Sequence, residues 1–143
     1  GSEMCIRDSS YIYIVNNLER IADLSEGYAL MVDNKRRQGL SFSPKAHHDL
    51  LTLQGKVKEF IELIVSAIKD YKLQNPDEIY KRARELESSI NAMEDRMRNS
   101  HVERLWRQEC DSNAGLIFID ILTNFEKIGD HCFNIVEMLT GRK

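Results

Sequence analysis

Apolar residues recur at spacings of three and four along most of the chain, and the recurrence breaks at three places. That period matches the α-helical turn of about 3.6 residues, so four long helices are expected. The first runs over about 10–37, with Ile14, Leu18, Ile21, Tyr28 and Val32 on its seam and Ser25 at the remaining seam position. Lys35, Arg36 and Arg37 suit a helix C-terminus, where cations meet the carbonyl end of the dipole, and Gly39 suits the stop. Ser43-Pro44 reads as an N-cap followed by a proline whose missing N–H costs nothing there. The second helix, about 43–72, carries Leu50, Leu53, Val57, Phe60, Ile64, Ile68 and Tyr71.

Asn75-Pro76-Asp77-Glu78 predicts a third helix, about 76–108, with Asn75 as cap and Glu78 reaching back as in a capping box. Its seam is Ile79, Ala83, Leu86, Ile90, Met93, Met97, His101 and Leu105, and the rest is densely charged. Asp77–Lys81, Glu78–Arg82, Glu94–Arg98 and Glu103–Arg107 are pairs four apart with the acid first, each adding about 0.3–0.5 kcal/mol. Solvated salt bridging is thus the simplest account of this face. Asp111-Ser112-Asn113 caps a fourth helix, about 112–140. Leu116 to Leu122 is apolar almost all round, which predicts burial on most sides, and Phe125, Ile128, Cys132, Ile135 and Leu139 continue the seam. Four long helices with short connections imply an all-α, antiparallel up-and-down bundle. Gly1-Ser2 reads as a cleavage scar and the rest of residues 1–9 as a non-native leader, so the domain is taken as 10–143.

Within this pattern one heptapeptide occurs twice. Asn17-Leu18-Glu19-Arg20-Ile21-Ala22-Asp23 parallels Asn124-Phe125-Glu126-Lys127-Ile128-Gly129-Asp130. Each copy places two acids four residues apart, one above the other on a helix. Glu26 extends the first row; Asn134 and Glu137 extend the second. Both rows are expected nearly opposite the apolar seam, and a solvated helix face is the commonest fate of such carboxylates. Two observations weigh against it. Like charges at this spacing repel, whereas helix three uses the attractive pairing freely. Each row also runs into apolar residues, Ile12 and Val15 in one and Ile119 and Leu122 in the other, as in a half-covered groove. A cation would offset the repulsion, and carboxylate-only ligation suits hard ions such as magnesium, manganese or oxidised iron.

The chain has 143 residues, with 20 bases against 23 acids for a net charge of −3, which suits one domain and argues against a general nucleic-acid binder. No apolar run reaches membrane-spanning length. Cys5, Cys110 and Cys132 are odd in number and lack a metal-binding spacing, which suits reduced thiols in a cytoplasmic protein. His131 follows Asp130 about 100° round the helix and is expected to support or flank a site more than to ligate. His47, His48 and His101 are expected to be structural or solvent-facing, and Cys132 a small core residue. There is no Ser-His-Asp or Cys-His arrangement and no Gly-rich phosphate loop. A di-metal oxidase would need Glu-x-x-His ligands converging inside the bundle, and that signature is absent.

The two heptapeptides, the second continuing as His131-Cys132, resemble the repeated motif of the PhoU family. The stretch from His101-Val102-Glu103-Arg104-Leu105, through Glu109-Cys110, to Phe118–Glu126 is similar to the cytoplasmic PhoU-like tail of bacterial sodium/phosphate cotransporters. The resemblance implies two three-helix repeats, of which this chain would hold the last helix of the first and the whole of the second. It implies a regulatory, non-catalytic role in phosphate uptake, on the cytoplasmic face of the inner membrane. The partner implied is the transporter's membrane domain, with a homodimer as an open alternative. It also implies metal held by acids on paired helices: Glu126 and Asp130 first, then Glu87, Asn91 and Glu94 on the middle helix, then Glu19 and Asp23. Asn91 stands where the family has an acid, and Glu19 and Asp23 lack their partner helix. Two alternatives are a stand-alone PhoU-type regulator of an ATP-driven phosphate transporter and a metal-free helical interaction module.

Overall fold

The computed structural model describes residues 2–70 and 72–143, with the side chains of residues 2–4 and 6 left aside. Its elements are α1 (Ser2–Arg37), α2 (Pro44–Lys69), α3 (Pro76–Trp106) and α4 (Ser112–Leu139), and no strand occurs among the described residues. Tyr71, which the period places on the second seam, lies outside them. The four expected helices are present. α1 begins at Ser2, ahead of the expected start, while α2 and α3 stop short of the expected 72 and 108. At those two ends the last turn gives way to left-handed residues, Leu73 and Gln108, which a helix cannot contain.

The boundaries follow local chemistry. Gly39 takes φ +66, and Leu40 N–H reaches back to the Lys35 carbonyl at 3.1 Å, closing α1 with a six-to-one bond. Ser43 Oγ accepts from Ala46 N–H at 3.1 Å, and Asp111 accepts from Asn113 and Ala114 N–H. Ser43→Ala is expected to cost about 1 kcal/mol, read as a lowered midpoint in thermal unfolding. The capping box before α3 does not form: Asn75 precedes Pro76, but its side chain makes no cap bond.

α1 and α4, α2 and α3, and α3 and α4 run antiparallel, so α2 and α4 run parallel. Tyr28 of α1 packs on Phe125 of α4 at 4.7 Å, while Lys143, just past α4, lies 5.5 Å over Tyr13 near the other end of α1. Arg82 of α3 bonds Glu59 of α2 at 2.8 Å. α2, α3 and α4 each touch the other two along the backbone, whereas α1 approaches only α4. The bundle is therefore a three-helix unit with a fourth rod laid on its third member. Phe60, Leu53 and Ile64 of α2, Leu86 and Ile90 of α3, and Leu122, Ile128 and Ile135 of α4 are essentially inaccessible at its centre.

The seams shift in places from the expected ones. Val32 and Ser25 of α1 are exposed, and Leu24 and Met31 pack on the core instead, because α1 approaches only α4 along its backbone and needs only a narrow stripe. Ala67 replaces the exposed Ile68 at the end of α2, and Leu105 is largely exposed near the end of α3, where it meets α4 only beside Gly115. Leu116, inside the all-apolar stretch of α4, is 66% exposed because it lies at the bundle tip.

The duplicated heptapeptides face each other across the α1–α4 contact. Asn17 Oδ1 accepts from Asn134 Nδ2 at 3.3 Å, and a Cβ placed on Gly27 would meet Asn124 Nδ2 at 3.4 Å. Asn17 corresponds to Asn124 and Gly27 to Asn134, so one contact is the counterpart of the other about a local two-fold axis. Asn17 also donates to the Tyr13 carbonyl and takes His131 Nδ1 at 2.9 Å. Burial, and then the nearby Arg20 charge, lower the His131 pKa, which suits a neutral ring with its proton on Nδ1. His131 thus serves the α1–α4 contact.

Candidate metal centre

The antiparallel register of α3 and α4 turns the acids of one helix towards those of the other. Glu87 hydrogen-bonds Asp130, and Glu94 hydrogen-bonds Glu126. Two carboxylates seven residues apart on α3 thus meet two carboxylates four apart on α4. The expectation that the rows point away from the seam is corrected here for Glu126 alone, which lies half-buried against α3, while Glu19, Asp23 and Asp130 are exposed as expected. Glu94 is only 4% exposed, Glu87 and Glu126 are half-buried, and Asp130 and Asn91 are at the surface. The cause is that α4 has neighbours on three sides, so its polar row lies against α3 and not in open solvent.

Two carboxylates in contact cannot both stay ionised without compensation. Glu87 is pushed up to about 8, first by burial, then by its bond to Asp130, with the Glu126 charge adding and a bond to Asn91 opposing. Glu94 is pushed up to about 8 by burial and by Glu126, with the Arg98 guanidinium opposing. Near neutral pH each pair therefore shares a proton, and the two steps belong to the pairs more than to single residues.

The pairs differ in their surroundings. Arg98 Nη2 bonds Glu94 Oε1 at 2.5 Å and Thr123 Oγ1 at 3.2 Å, so one pair already has a cation against it. Of the helix-three pairs expected from spacing, Glu94–Arg98 forms, with its acid buried on the seam and the Arg98 side chain 37% exposed. Asp77 pairs instead with Arg142, and Arg82 with Glu59 and Glu85. At the other pair, Glu87 Oε2 is buried with no hydrogen-bond partner. It lies 3.4 Å from where a Gly129 Cβ would be, so the small residue in the second heptapeptide admits the carboxylate. A buried, unpartnered carboxylate oxygen among other hard oxygen donors fits a hard cation. Among the described residues no three His, Cys, Asp or Glu side chains converge on one point, so the acids are arranged as pairs.

Glu19 and Asp23 are exposed on α1 and form no ion pair among the described residues. The structure brings Glu87, Asn91, Glu94, Glu126 and Asp130 together and leaves that first pair apart. Cys132 is a fully buried core thiol whose pKa burial raises, which makes it inert. His101 is a buried ring stacked 5.2 Å from Phe118 at the tip, well along α3 from the acids.

A family comparison bears on this arrangement. The PhoU domain model matches residues 50–139, from within α2 to the end of α4. The chain belongs to the PhoU domain family. The match spans the three mutually packed helices and both acid pairs, and α1 with Glu19 and Asp23 lies outside it. No curated protein and no solved structure matches the chain. A PhoU domain associates the chain in general terms with the regulation of phosphate transport. No helix of the described residues is long and apolar enough to cross a membrane.

Proposed function

We propose that this PhoU domain is a non-catalytic regulatory module that takes up a hard metal cation at the α3–α4 acid seam and adjusts phosphate transport in response. The observation that carries the metal part is Glu87 Oε2, buried without a partner beside Asp130. Glu87 and Asp130 would hold the ion, with Glu126 and Glu94 as the neighbouring pair and the Asn91 amide steadying Glu87. The ion would be of the magnesium, manganese or iron class. Because the pairs hold protons near neutral pH, cation binding releases protons and tightens as the pH rises from about 7 to about 9. Glu19 and Asp23 are the second candidate pair, awaiting a helix opposite them.

In the reading favoured, the domain is the cytoplasmic tail of a sodium-dependent phosphate cotransporter and acts on its membrane domain. The stretch from His101 to Glu126 supports this. The exposed Tyr11, Ile12, Val15 and Leu30 of α1 would supply surface for that assembly or for a second copy. A stand-alone regulator of an ATP-driven system differs in its flanking coding sequence, where spanning helices upstream support the cotransporter.

The test is calorimetric titration of chelator-treated protein with Mn²⁺ in two buffers of different protonation enthalpy. Micromolar binding with proton release in the wild type, lost by at least tenfold in Glu126→Ala/Asp130→Ala, is the expected result. Equal and negligible binding in both would leave a metal-free interaction module.

A further inference from the structure

At the tip of the bundle, where α3 ends and α2 and α4 begin, lies a cavity of about 360 Å³. We infer that it is a binding site for a small organic carboxylate, whose apolar body rests on Phe42 and Phe118 and whose oxygens meet Arg104, Ser43 and the Nε2 edge of His101. Such a site is independent of the metal reading, since none of the paired acids of the seam lines it.

His101 marks the place. Its side chain is 3% exposed, yet Nε2 is buried with no hydrogen-bond partner. A polar atom left unmet in the interior is costly, so a group that meets it is favoured. Nε2 faces the first turn of α4 at Gly115, where a Cβ would meet it at 2.8 Å, and both residues line the cavity. The missing side chain keeps that edge of the ring clear. Burial, and then the nearby Arg104 charge, lower the His101 pKa, so the ring is neutral and can present Nε2–H to an oxygen. Arg104 is half-buried, with its guanidinium 5.8 Å over the Phe118 ring, and supplies the positive charge. Ser43 Oγ accepts from Ala46 N–H as the α2 cap and keeps its own O–H to donate. Phe118 lies 5.2 Å from His101 and meets Phe42 edge-on at 5.5 Å, which gives the cavity an aromatic floor. Donors above such a floor, in a volume near the lower end of the usual range of about 300–1,000 Å³, suit a small ligand with one oxyanion and one apolar part. Two carboxylates also line the cavity. Asp111 Oδ1 is held by Asn113 and Ala114 N–H at 2.8 and 3.1 Å as the α4 cap, and Glu109 is exposed. Their charge disfavours a dianion, and the floor asks for an apolar body, so a monoanionic organic acid is selected over inorganic phosphate.

The experiment is a titration of isotope-labelled protein with sodium benzoate, followed by amide chemical shifts, with sodium phosphate at equal ionic strength as the contrasting anion. Wild type, Arg104→Gln and His101→Phe are compared. Saturable benzoate shifts centred on Ala46, Gly115 and Phe118 are expected in wild type. Arg104→Gln loses a charge-assisted bond and should bind about tenfold more weakly. His101→Phe keeps a ring but no nitrogen and should weaken binding in the same direction. Phosphate should bind more weakly than benzoate at these residues. No saturation by benzoate, equal affinity in Arg104→Gln and wild type, or phosphate binding as tightly as benzoate would overturn the inference. Should His101→Phe fail to fold, nuclear Overhauser contacts between benzoate and the Phe118 ring of the wild type decide in its place: their presence at saturation supports the site, and their absence overturns it.

Discussion

Raising the pH from about 5 to about 9 without divalent cations is expected to destabilise the fold by on the order of 2 kcal/mol. Glu87 and Glu94 are each pushed up from an ordinary 4.5 to about 8 by burial and by the facing acids. Between those values the folded chain keeps protons that the unfolded chain has released. The stabilisation is therefore complete below about 4.5 and is lost as the pH climbs through about 8. Solvent screening of half-exposed Glu87 holds the figure to that size. The direction is opposite to that of an ordinary salt-bridged carboxylate, whose contribution is lost on acidification. Glu94→Gln, a neutral isostere, should remove about half of the slope and make the protein more stable than wild type at pH 9. On the proposed metal binding, millimolar Mn²⁺ should restore part of the wild-type stability at pH 9, because an ion held at Glu87–Asp130 would favour the ionised form. Urea unfolding across the pH series, with and without Mn²⁺, measures both effects. A metal-free stability that rises or stays flat from pH 5 to 9 would show that the two pairs do not share protons.

The second large effect is steric and lies at the other end of the seam. Gly115 faces the His101 ring so closely that a Cβ there would meet Cε1 and Nε2 at 2.8 Å and Leu105 Cδ2 at 3.7 Å. The ring cannot step aside. It is 3% exposed and stacked beside Phe118, which carries Phe42 edge-on at 5.5 Å on its other contact. Gly→Ala in mid-helix is ordinarily worth about 1 kcal/mol in favour of alanine. Here overpacking should win: Gly115→Ala is expected to lose about 1 kcal/mol net and Gly115→Val about 3 kcal/mol. His101→Ala in the Gly115→Ala background should relieve part of the loss, a coupling that a double-mutant cycle reads directly. If Gly115→Ala stabilises the protein, the ring does not sit where the structure puts it.

Much of the fold was legible because helix periodicity is a local property. The Ser43-Pro44 and Asp111 caps, the Gly39 stop and the long apolar stripe of α2 follow from side chains a few residues apart. The places where expectation slipped are those where a neighbour decides. Val32 and Leu105 carry the right period, but both end up exposed because too little of a neighbouring helix covers them. Glu94 reads as half of a solvated ion pair with Arg98, and the pair does form, but α4 covers its acid. The facing of Glu87 with Asp130 and of Glu94 with Glu126 depends on how two helices slide past each other, which spacing within one helix does not contain. The repeat did hold one further clue. Asn17 and Asn124 open the two copies, and both are among the few buried polar residues, at 5% and 6% exposure. An amide kept in both copies of an otherwise acidic motif marked the surface where the copies meet.

That meeting has a mechanical meaning. Asp130, which touches Glu87, and His131, which touches Asn17, are consecutive residues on one rod. Any slide or roll of α4 that accommodates an ion on one flank must drag the imidazole across the amide on the other. α1, with no other backbone neighbour, would register the shift as a change in its own footing.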